Sequence, residues 1–309
     1  MALNYEPSIT LPRRRFAPPG WRIKEGTAFS WLMLAPPLLF LVAFVGYPFV
    51  YGIWLSLEDR SVARPAVFVG LGNFINDARD PVFWQVVRNT FVYTFVATIL
   101  KAAGGLALAL VMNQDFRMKN LVRAMVLLPF IVPTVLSTIA WMWILDPAFS
   151  VFNWFLVHSF GMKPPGPSWL GNPYLAMGSV IFVNTWRGLP FYAITLLAGL
   201  QTIPGDLYDA ATIDGAGSWH RFRYVTLPLL QPVIFIVTMF SVIFTFADFQ
   251  LVYVLTRGGP ANATHLFATY SFDLAMSAGQ LGHGASVALA MLPALALVIV
   301  ALTLYMKRR

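Results

Sequence analysis

The 309-residue chain contains no cysteine, which excludes disulfides, thiolate metal sites and a cysteine nucleophile. Charge is almost as scarce. Only 11% of residues are Asp, Glu, Lys or Arg, against about 25% in a soluble domain. So few charges cannot cover a water-soluble fold of this size, so an ordinary cytosolic enzyme, a nucleic-acid binder and a disordered tail are excluded. The four histidines, His158, His220, His265 and His283, are scattered, with no pair at metal-ligand spacing. No carboxylate pair sits in an apolar run to suggest acid–base chemistry. None of the five lysines (Lys24, Lys101, Lys119, Lys163, Lys307) follows a glycine, so the Gly-Lys-Ser/Thr that cradles nucleotide phosphates is missing. The chain is expected to be neither an enzyme nor an ATPase, and to bind no cofactor or metal of its own.

What is abundant is apolar sequence. Hydrophobic residues make up 58% of the chain and the mean hydropathy is +0.68. Crossing a bilayer takes about 20 apolar residues, and six runs qualify. They are Thr27 to Leu57, Asn89 to Met112 with Lys101 inside, Ala124 to Leu145, Tyr174 to Gln201 with Arg187 inside, Leu229 to Thr256 with Asp248 inside, and Ala285 to Met306. The first starts too late and is too long for a removable signal peptide. Basic residues set the orientation. With both termini inside, cytoplasmic segments hold Arg13, Arg14, Arg15, Arg22 and Lys24, then Arg117, Lys119 and Arg123, then Arg221 and Arg223, and finally Lys307, Arg308 and Arg309. The outer loops hold only Arg60, Arg64, Arg79, Arg88, Lys163 and Arg257. The positive-inside rule therefore predicts an all-α integral membrane protein with six transmembrane helices and both termini cytoplasmic. The net charge of +8 reads as a topology signal more than as a ligand signal.

Between the fourth and fifth runs lies a polar island, Ile203 to Pro232. Pro204 and Gly205 end the fourth run. Asp206 is a candidate N-cap, with Asp209 adding negative charge to the first turn. Asp214-Gly215 reads as a helix stop. Ser218 can cap a second short helix over Trp219 to Val225, before Pro228 starts the fifth run. A plain connection needs only a few residues, so a docking element for a cytoplasmic partner explains two capped helices better than a surface loop does.

At this segment a resemblance becomes specific. DAATIDGAGSWHRFRYVTLP resembles the cytoplasmic motif of bacterial ABC-importer permeases, of the form Glu-Ala-Ala, Gly, Leu-Pro, carried here by Asp209-Ala210-Ala211, Gly215 and Leu227-Pro228. Asp209 stands where Glu is usual. LTRGGPANAT (Leu255 to Thr264) resembles the outer Gly-Gly-Pro loop of carbohydrate-type permeases, with Arg257 in place of a Gly or polar residue. NTWRGLPFY, LLAGLQTIP and LLPFIVPTVLSTIAW resemble the fourth and third spans of the same group. The resemblance covers about residue 28 to the end, and is to the maltose-type first permease subunit, without that protein's extra N-terminal spans and long outer domain. It implies residues 1–26 as a cytoplasmic segment and 27–309 as a permease domain, with a coupling helix in the element 203–228. The implied ATPase-coupling positions are Asp206, Asp209, Ala210, Ala211, Asp214, Gly215, Ala216 and Phe222. The implied partners are a second homologous permease, a homodimeric ATPase that uses ATP and Mg, an extracytoplasmic solute-binding protein and membrane lipid. The implied place is the bacterial inner membrane.

A substrate path should show polar or aromatic groups on one face of an apolar span. Asn184, Arg187, Gly188 and Phe191 fall at i, i+3, i+4 and i+7. Phe244 and Asp248 are four apart with Thr245 adjacent, and Ser137 and Trp141 are four apart. Such faces suit a sugar, whose C–H face packs on a ring while its hydroxyls find polar groups. The resemblance implies sugar contacts at Asn184, Gly188, Phe191, Phe244, Thr245 and Ser137. A charge inside a span costs about 2.5–3.5 kcal/mol on insertion scales. Arg187 and Asp248 are expected to neutralise one another, the alternative being that Arg187 faces an acidic sugar or a sugar or glycerol phosphate. Lys101, next to Ala102, Ala103, Gly104 and Gly105, is expected at an interface with the second permease, or else snorkelling. A rival class, the ion-coupled secondary transporter, calls for intramembrane carboxylates or inverted repeats. Asp248 alone and no visible repeat argue against it.

Overall fold

The computed structural model describes the backbone over residues 22–307 and side chains over residues 29–304. Most of the expected N-terminal segment 1–26, with Arg13, Arg14 and Arg15, lies outside the described residues, as do Arg308 and Arg309. The chain divides into two compact units, residues 1–51 and 52–309.

The first unit is carried by α1 (Arg22–Leu41), a π-helical turn (Val42–Gly46) and the start of α2 (Tyr47–Ser56). Its large apolar side chains, Trp31, Leu39 and Phe44 among them, are exposed. The stretch Phe29–Ser56 is long and apolar enough to cross a membrane.

In the second unit a hairpin of β1 (Glu58–Ser61) and β2 (Arg64–Phe68) comes first, antiparallel, with Glu58 opposite Phe68. It amends the all-α expectation. Val62 N–H donates to Gly279 O at 2.9 Å and Asn73 Nδ2 donates to Ser56 O and Glu58 O, so the turn and the first strand of the hairpin are stitched down. Helix α3 (Gly72–Arg79) follows. Its buried Asp77 accepts from Ser286 Oγ at 2.7 Å and pairs with His283 Nε2, fastening α3 to the last helix.

Helix α4 (Pro81–Met112) begins eight residues before the apolar run does. Asp80 accepts from Val82 N–H at 2.8 Å and Pro81 fills the first turn, where its missing N–H is harmless. Arg88 interrupts the hydrophobic run but points to an exposed face, so it ends the run without ending the helix. The third run is not one straight span. Helices α5 (Lys119–Ile131) and α6 (Thr134–Ile144) meet at 93°. Pro133 supplies no N–H and forces Val132 into an extended conformation, as proline does to its predecessor. Helix α7 (Val151–Phe160) is short. Helix α8 (Pro173–Leu200) matches the predicted fourth run, capped by Asn172, whose Oδ1 accepts from Tyr174 and Leu175 N–H.

Helix α9 (Gly205–Ile213) is separate, whereas α10 (Ser218–Arg221), a π-helical turn (Phe222–Thr226) and α11 (Leu227–Phe246) form one continuous rod. The rod ends at Ala247, so the fifth run is shorter than predicted and Asp248 lies past its end, before α12 (Gln250–Thr256). Helix α13 (Phe267–Phe272) leads through a π-helical turn to α14 (Leu281–Lys307). Among the described residues, five helices are long and apolar enough to cross a membrane, or six if α5 and α6 count as one span.

The core is built around α4 against α8. A Cβ on Gly105 would collide with Tyr192 Cβ, and one on Gly104 would sit 3.1 Å from Leu189 Cδ1. The small-residue patch beside Lys101 therefore serves close packing inside this chain. Ala109, Met112, Leu196, Leu200, Leu230 and Val237 continue the core towards α11.

Candidate functional site

Where α4, α5, α6, α8 and α11 converge on the unwound stretch after α11, they enclose a cavity of about 480 Å³. Of the eight predicted substrate residues, Asn184, Arg187, Gly188 and Phe191 line it from α8, and Phe244, Thr245 and Asp248 line it from α11 and its end. Ser137 does not. It is buried, and its Oγ donates back to Thr134 O at 2.9 Å. The side chain one turn earlier, Thr134, faces the cavity instead.

The polar residues form one network. Asp248 Oδ2 accepts from Tyr93 OH at 2.8 Å, Asn184 Nδ2 at 3.0 Å and Arg187 Nη2 at 3.3 Å. The expected Arg187–Asp248 pair is thus formed. Arg187 Nη1 also donates to Thr134 Oγ1 at 2.6 Å. Lys101 corrects its expectation. It neither snorkels nor turns to an interface: its Nζ donates to Asn184 Oδ1 at 2.9 Å and Thr245 Oγ1 at 2.7 Å, buried between three helices. It reaches them by passing under Gly188, where a Cβ would lie 2.5 Å from Lys101 Cδ. Gly188 is therefore first a passage for the lysine stem.

This network changes the character of the predicted face. Asn184, Thr245 and Asp248 are buried and bonded to one another or to Lys101. The groups open to the cavity are Arg187, Phe191 and Phe244, with Phe244 at 68% exposure. Phe130 of α5 stacks on Phe191 with ring centroids 6.1 Å apart, and Phe249 and Gln250 line the cavity from the start of α12. Phe130, Thr134, Phe249 and Gln250 escaped the sequence reading because the break at Pro133 and the unwinding at Ala247 bring them in. Lys101 did carry a signal, being a lone cation in a span.

At the other end of the α11 rod, α9 stands exposed. Asp206, Asp209, Ala210, Asp214 and Gly215 are exposed, and Ala211, Ala216 and Phe222 half-buried. Pro204, not Asp206, is the N-cap, leaving Asp206 in the first turn. Gly215 closes the helix at φ +79°, with Ala216 N–H donating to Ala211 O at 2.9 Å. Ser218 does not cap a separate second helix. Gly217 is the cap, and the chain continues unbroken into α11. Tyr208 OH bonds Thr226 Oγ1 at 3.0 Å and Arg221 Nη1 donates to Thr212 Oγ1 at 3.2 Å, tying α9 to the rod. The Gly-Gly-Pro loop is also held: Thr264 Oγ1 donates to Gly259 O at 2.7 Å, and Asn89 Nδ2 donates to Asn262 O and His265 O. Arg257 stands at φ +50° as the C-cap of α12, which explains why glycine suits that position.

Residues 101–308 match the family of the binding-protein-dependent transport system inner membrane component. The chain belongs to this family of transport permeases. The permease is 35% identical over 261 residues to the trehalose/maltose transport system permease protein MalF of Thermococcus litoralis, covering 84% of this chain and 87% of that one. It is 33% identical over 262 residues to the sulfoquinovosyl glycerol transport system permease protein SmoG of Agrobacterium fabrum, covering 84% of each. Among solved structures it resembles a chain of a bacterial ABC transporter involved in the import of the acidic polysaccharide alginate. The TM-score is 0.80 at 19% identity, covering 93% of the permease and 98% of that chain. This last likeness speaks for the fold alone.

Proposed function

We propose that the permease is one membrane subunit of an ATP-driven ABC importer that moves a carbohydrate (an oligosaccharide, disaccharide or polyol) by alternating access. Relatives named for trehalose/maltose and sulfoquinovosyl glycerol transport support the substrate class. The observation that carries the reading is the aromatic cavity. Phe130, Phe191 and Phe244 offer ring faces to the C–H faces of a sugar, while Arg187, Thr134 and Gln250 offer hydrogen bonds to its hydroxyls. Asn184, Thr245 and Asp248 hold that surface in shape, and Ser137 supports Thr134 from behind.

The permease works with a second homologous permease, a homodimeric ATPase that binds ATP and Mg, and an extracytoplasmic solute-binding protein, in the bacterial inner membrane. Residues 27–309 form the permease domain, with six spans, both termini cytoplasmic and the coupling element at 203–228. The distribution of basic residues supports that orientation. The ATPase receives α9, with Asp206, Asp209, Ala210 and Ala211 on the helix and Asp214, Gly215, Ala216 and Phe222 at its exit. Closure of the ATPase dimer drives the cavity to its outward-open state, and hydrolysis resets it.

The test is Gly215→Pro, which cannot adopt the positive φ of that position. Membrane insertion should be unchanged while ATP-dependent uptake of labelled sugar falls to background. Uptake that persists on an ion gradient alone would refute the importer reading in favour of a secondary transporter.

A further inference from the structure

The rod that ends at Ala247 begins with an exposed turn of aromatic and basic side chains. Trp219 and Tyr224 are 69% and 71% exposed, with His220 and Arg223 exposed beside them. Trp219 and Arg223 are four apart, as are His220 and Tyr224, so the four share one face of the helix. The Arg223 guanidinium lies 5.9 Å from the centre of the Tyr224 ring, and the His220 ring stacks on the same tyrosine at 6.0 Å. On the adjoining side Arg221 lines an open cleft of about 780 Å³ between the end of α4 and α9, with Leu110, Gln114, Tyr208 and Phe222 among its walls. Two properties fix what this surface can hold. The first is height. Helix α4 ends at Met112, and after Arg223 the rod carries no charge until Asp248, so the cleft lies where two spans leave the hydrocarbon, the level at which Trp and Tyr are enriched. The second is charge. Arg221 donates to two hydroxyls, Thr212 Oγ1 at 3.2 Å and Ser218 Oγ at 3.5 Å. Among the described residues no carboxylate pairs with Arg221 or Arg223, and none lines the cleft. Two guanidiniums without a carboxylate, at the edge of the hydrocarbon, are complementary to phosphate oxygens.

We infer that Arg221 and Arg223, framed by Trp219 and Tyr224, hold the phosphate headgroup of an anionic phospholipid from the leaflet at this end of the spans. Its acyl chain runs along Leu110 and Phe222. The site is separate from the sugar cavity and does not depend on it. It bears instead on the attachment of α9, because Tyr208 and Arg221 both line the cleft and both tie α9 to the rod.

The experiment places the assembled permease–ATPase complex in nanodiscs of phosphatidylcholine with a rising fraction of phosphatidylglycerol, and counts the lipid retained by native mass spectrometry. The wild type should retain phosphatidylglycerol in preference to phosphatidylcholine. The mole fraction at which half of the complexes retain it should rise about five-fold in Arg221→Gln and about five-fold in Arg223→Gln. Arg117→Gln removes an exposed charge from the neighbouring connection before α5 and should leave that mole fraction unchanged. A wild type that retains both lipids equally overturns the inference. So does retention unshifted in both arginine variants, or shifted as much by Arg117→Gln, which would mean diffuse attraction to a basic surface. Retention by the permease alone but not by the complex assigns the face to the ATPase and overturns the lipid site. The wild-type comparison, and two arginines replaced separately, keep the test decisive if one variant fails to fold. None of these outcomes bears on the carbohydrate reading, which rests on the cavity.

Discussion

Gly188 and Lys101 should behave as one unit in stability measurements. A methyl group added by Gly188→Ala would stand 2.5 Å from Lys101 Cδ, and its three nearest neighbours are all atoms of that lysine. Ordinary contact begins near 3.4 Å, so the stem must retreat by roughly 1 Å, more than the two Nζ hydrogen bonds at 2.9 and 2.7 Å can absorb. Hydrogen bonds to a charged group contribute about 1.5–3 kcal/mol each. Losing both costs on the order of 3–6 kcal/mol, against a gain of about 1 kcal/mol from replacing glycine by alanine within a helix. Lys101→Ala alone should destabilise by about 2–6 kcal/mol, because it leaves Asn184 Oδ1 and Thr245 Oγ1 buried without their donor. Once the lysine stem is gone the methyl group meets none of those atoms, so Gly188→Ala should be neutral or slightly stabilising in the Lys101→Ala background. The double-mutant cycle, read from unfolding free energies in mixed micelles, should show a coupling of about 3 kcal/mol or more. Additivity to within about 0.5 kcal/mol, as found for independent sites, would refute the passage of Lys101 beneath Gly188.

Two further substitutions test the packing. Gly105→Ala places a methyl group against Tyr192 Cβ and, at 3.3 Å, against Ala193 N. It should push α4 from α8 at a cost of about 1–3 kcal/mol and lower the monodisperse fraction on size exclusion, whereas Gly178→Ala, with open space around its Cβ, should not. Gly282→Ala drives a methyl group into the Glu58 carbonyl; limited proteolysis between Leu57 and Val69 should accelerate while the fragment carrying the cavity residues stays intact.

The sequence made the spans and the cytoplasmic element legible because hydropathy and Gly/Pro punctuation are local signals. The face Asn184–Arg187–Gly188–Phe191 was legible for the same reason: helical spacing alone brings it together. What escaped depends on where helices stop. Pro133 was visible, yet its effect, a 93° bend that turns Phe130 and Thr134 into the cavity, is tertiary. Nothing apolar distinguishes Phe246 from the residues beyond it, so the end of α11 left no mark on the hydropathy, and Asp248 was placed within a helix. Arg88 misled in the opposite sense, since an exposed charge interrupts a run without breaking a helix. Lys101 was misplaced because a lone cation beside small residues fits an interface equally well; only Gly188, 87 positions along the chain, shows where the lysine goes.

The unbroken path from Ser218 to Phe246 has a mechanical consequence. At 1.5 Å per residue its 29 residues make a strut of about 44 Å, with the α9 contacts at one end and the joint at Ala247 at the other. The helix runs on through its π-helical turn, Phe222–Thr226, and past Pro232 without a break. A tilt of only ~5° about the joint would sweep the far end through roughly 4 Å at that length. Conversely, a few ångströms of displacement imposed on α9 would arrive at Asp248 as a rotation, with Phe244 and Thr245 on the strut and Phe249 and Gln250 beyond its end. The cavity wall is divided by its own fulcrum.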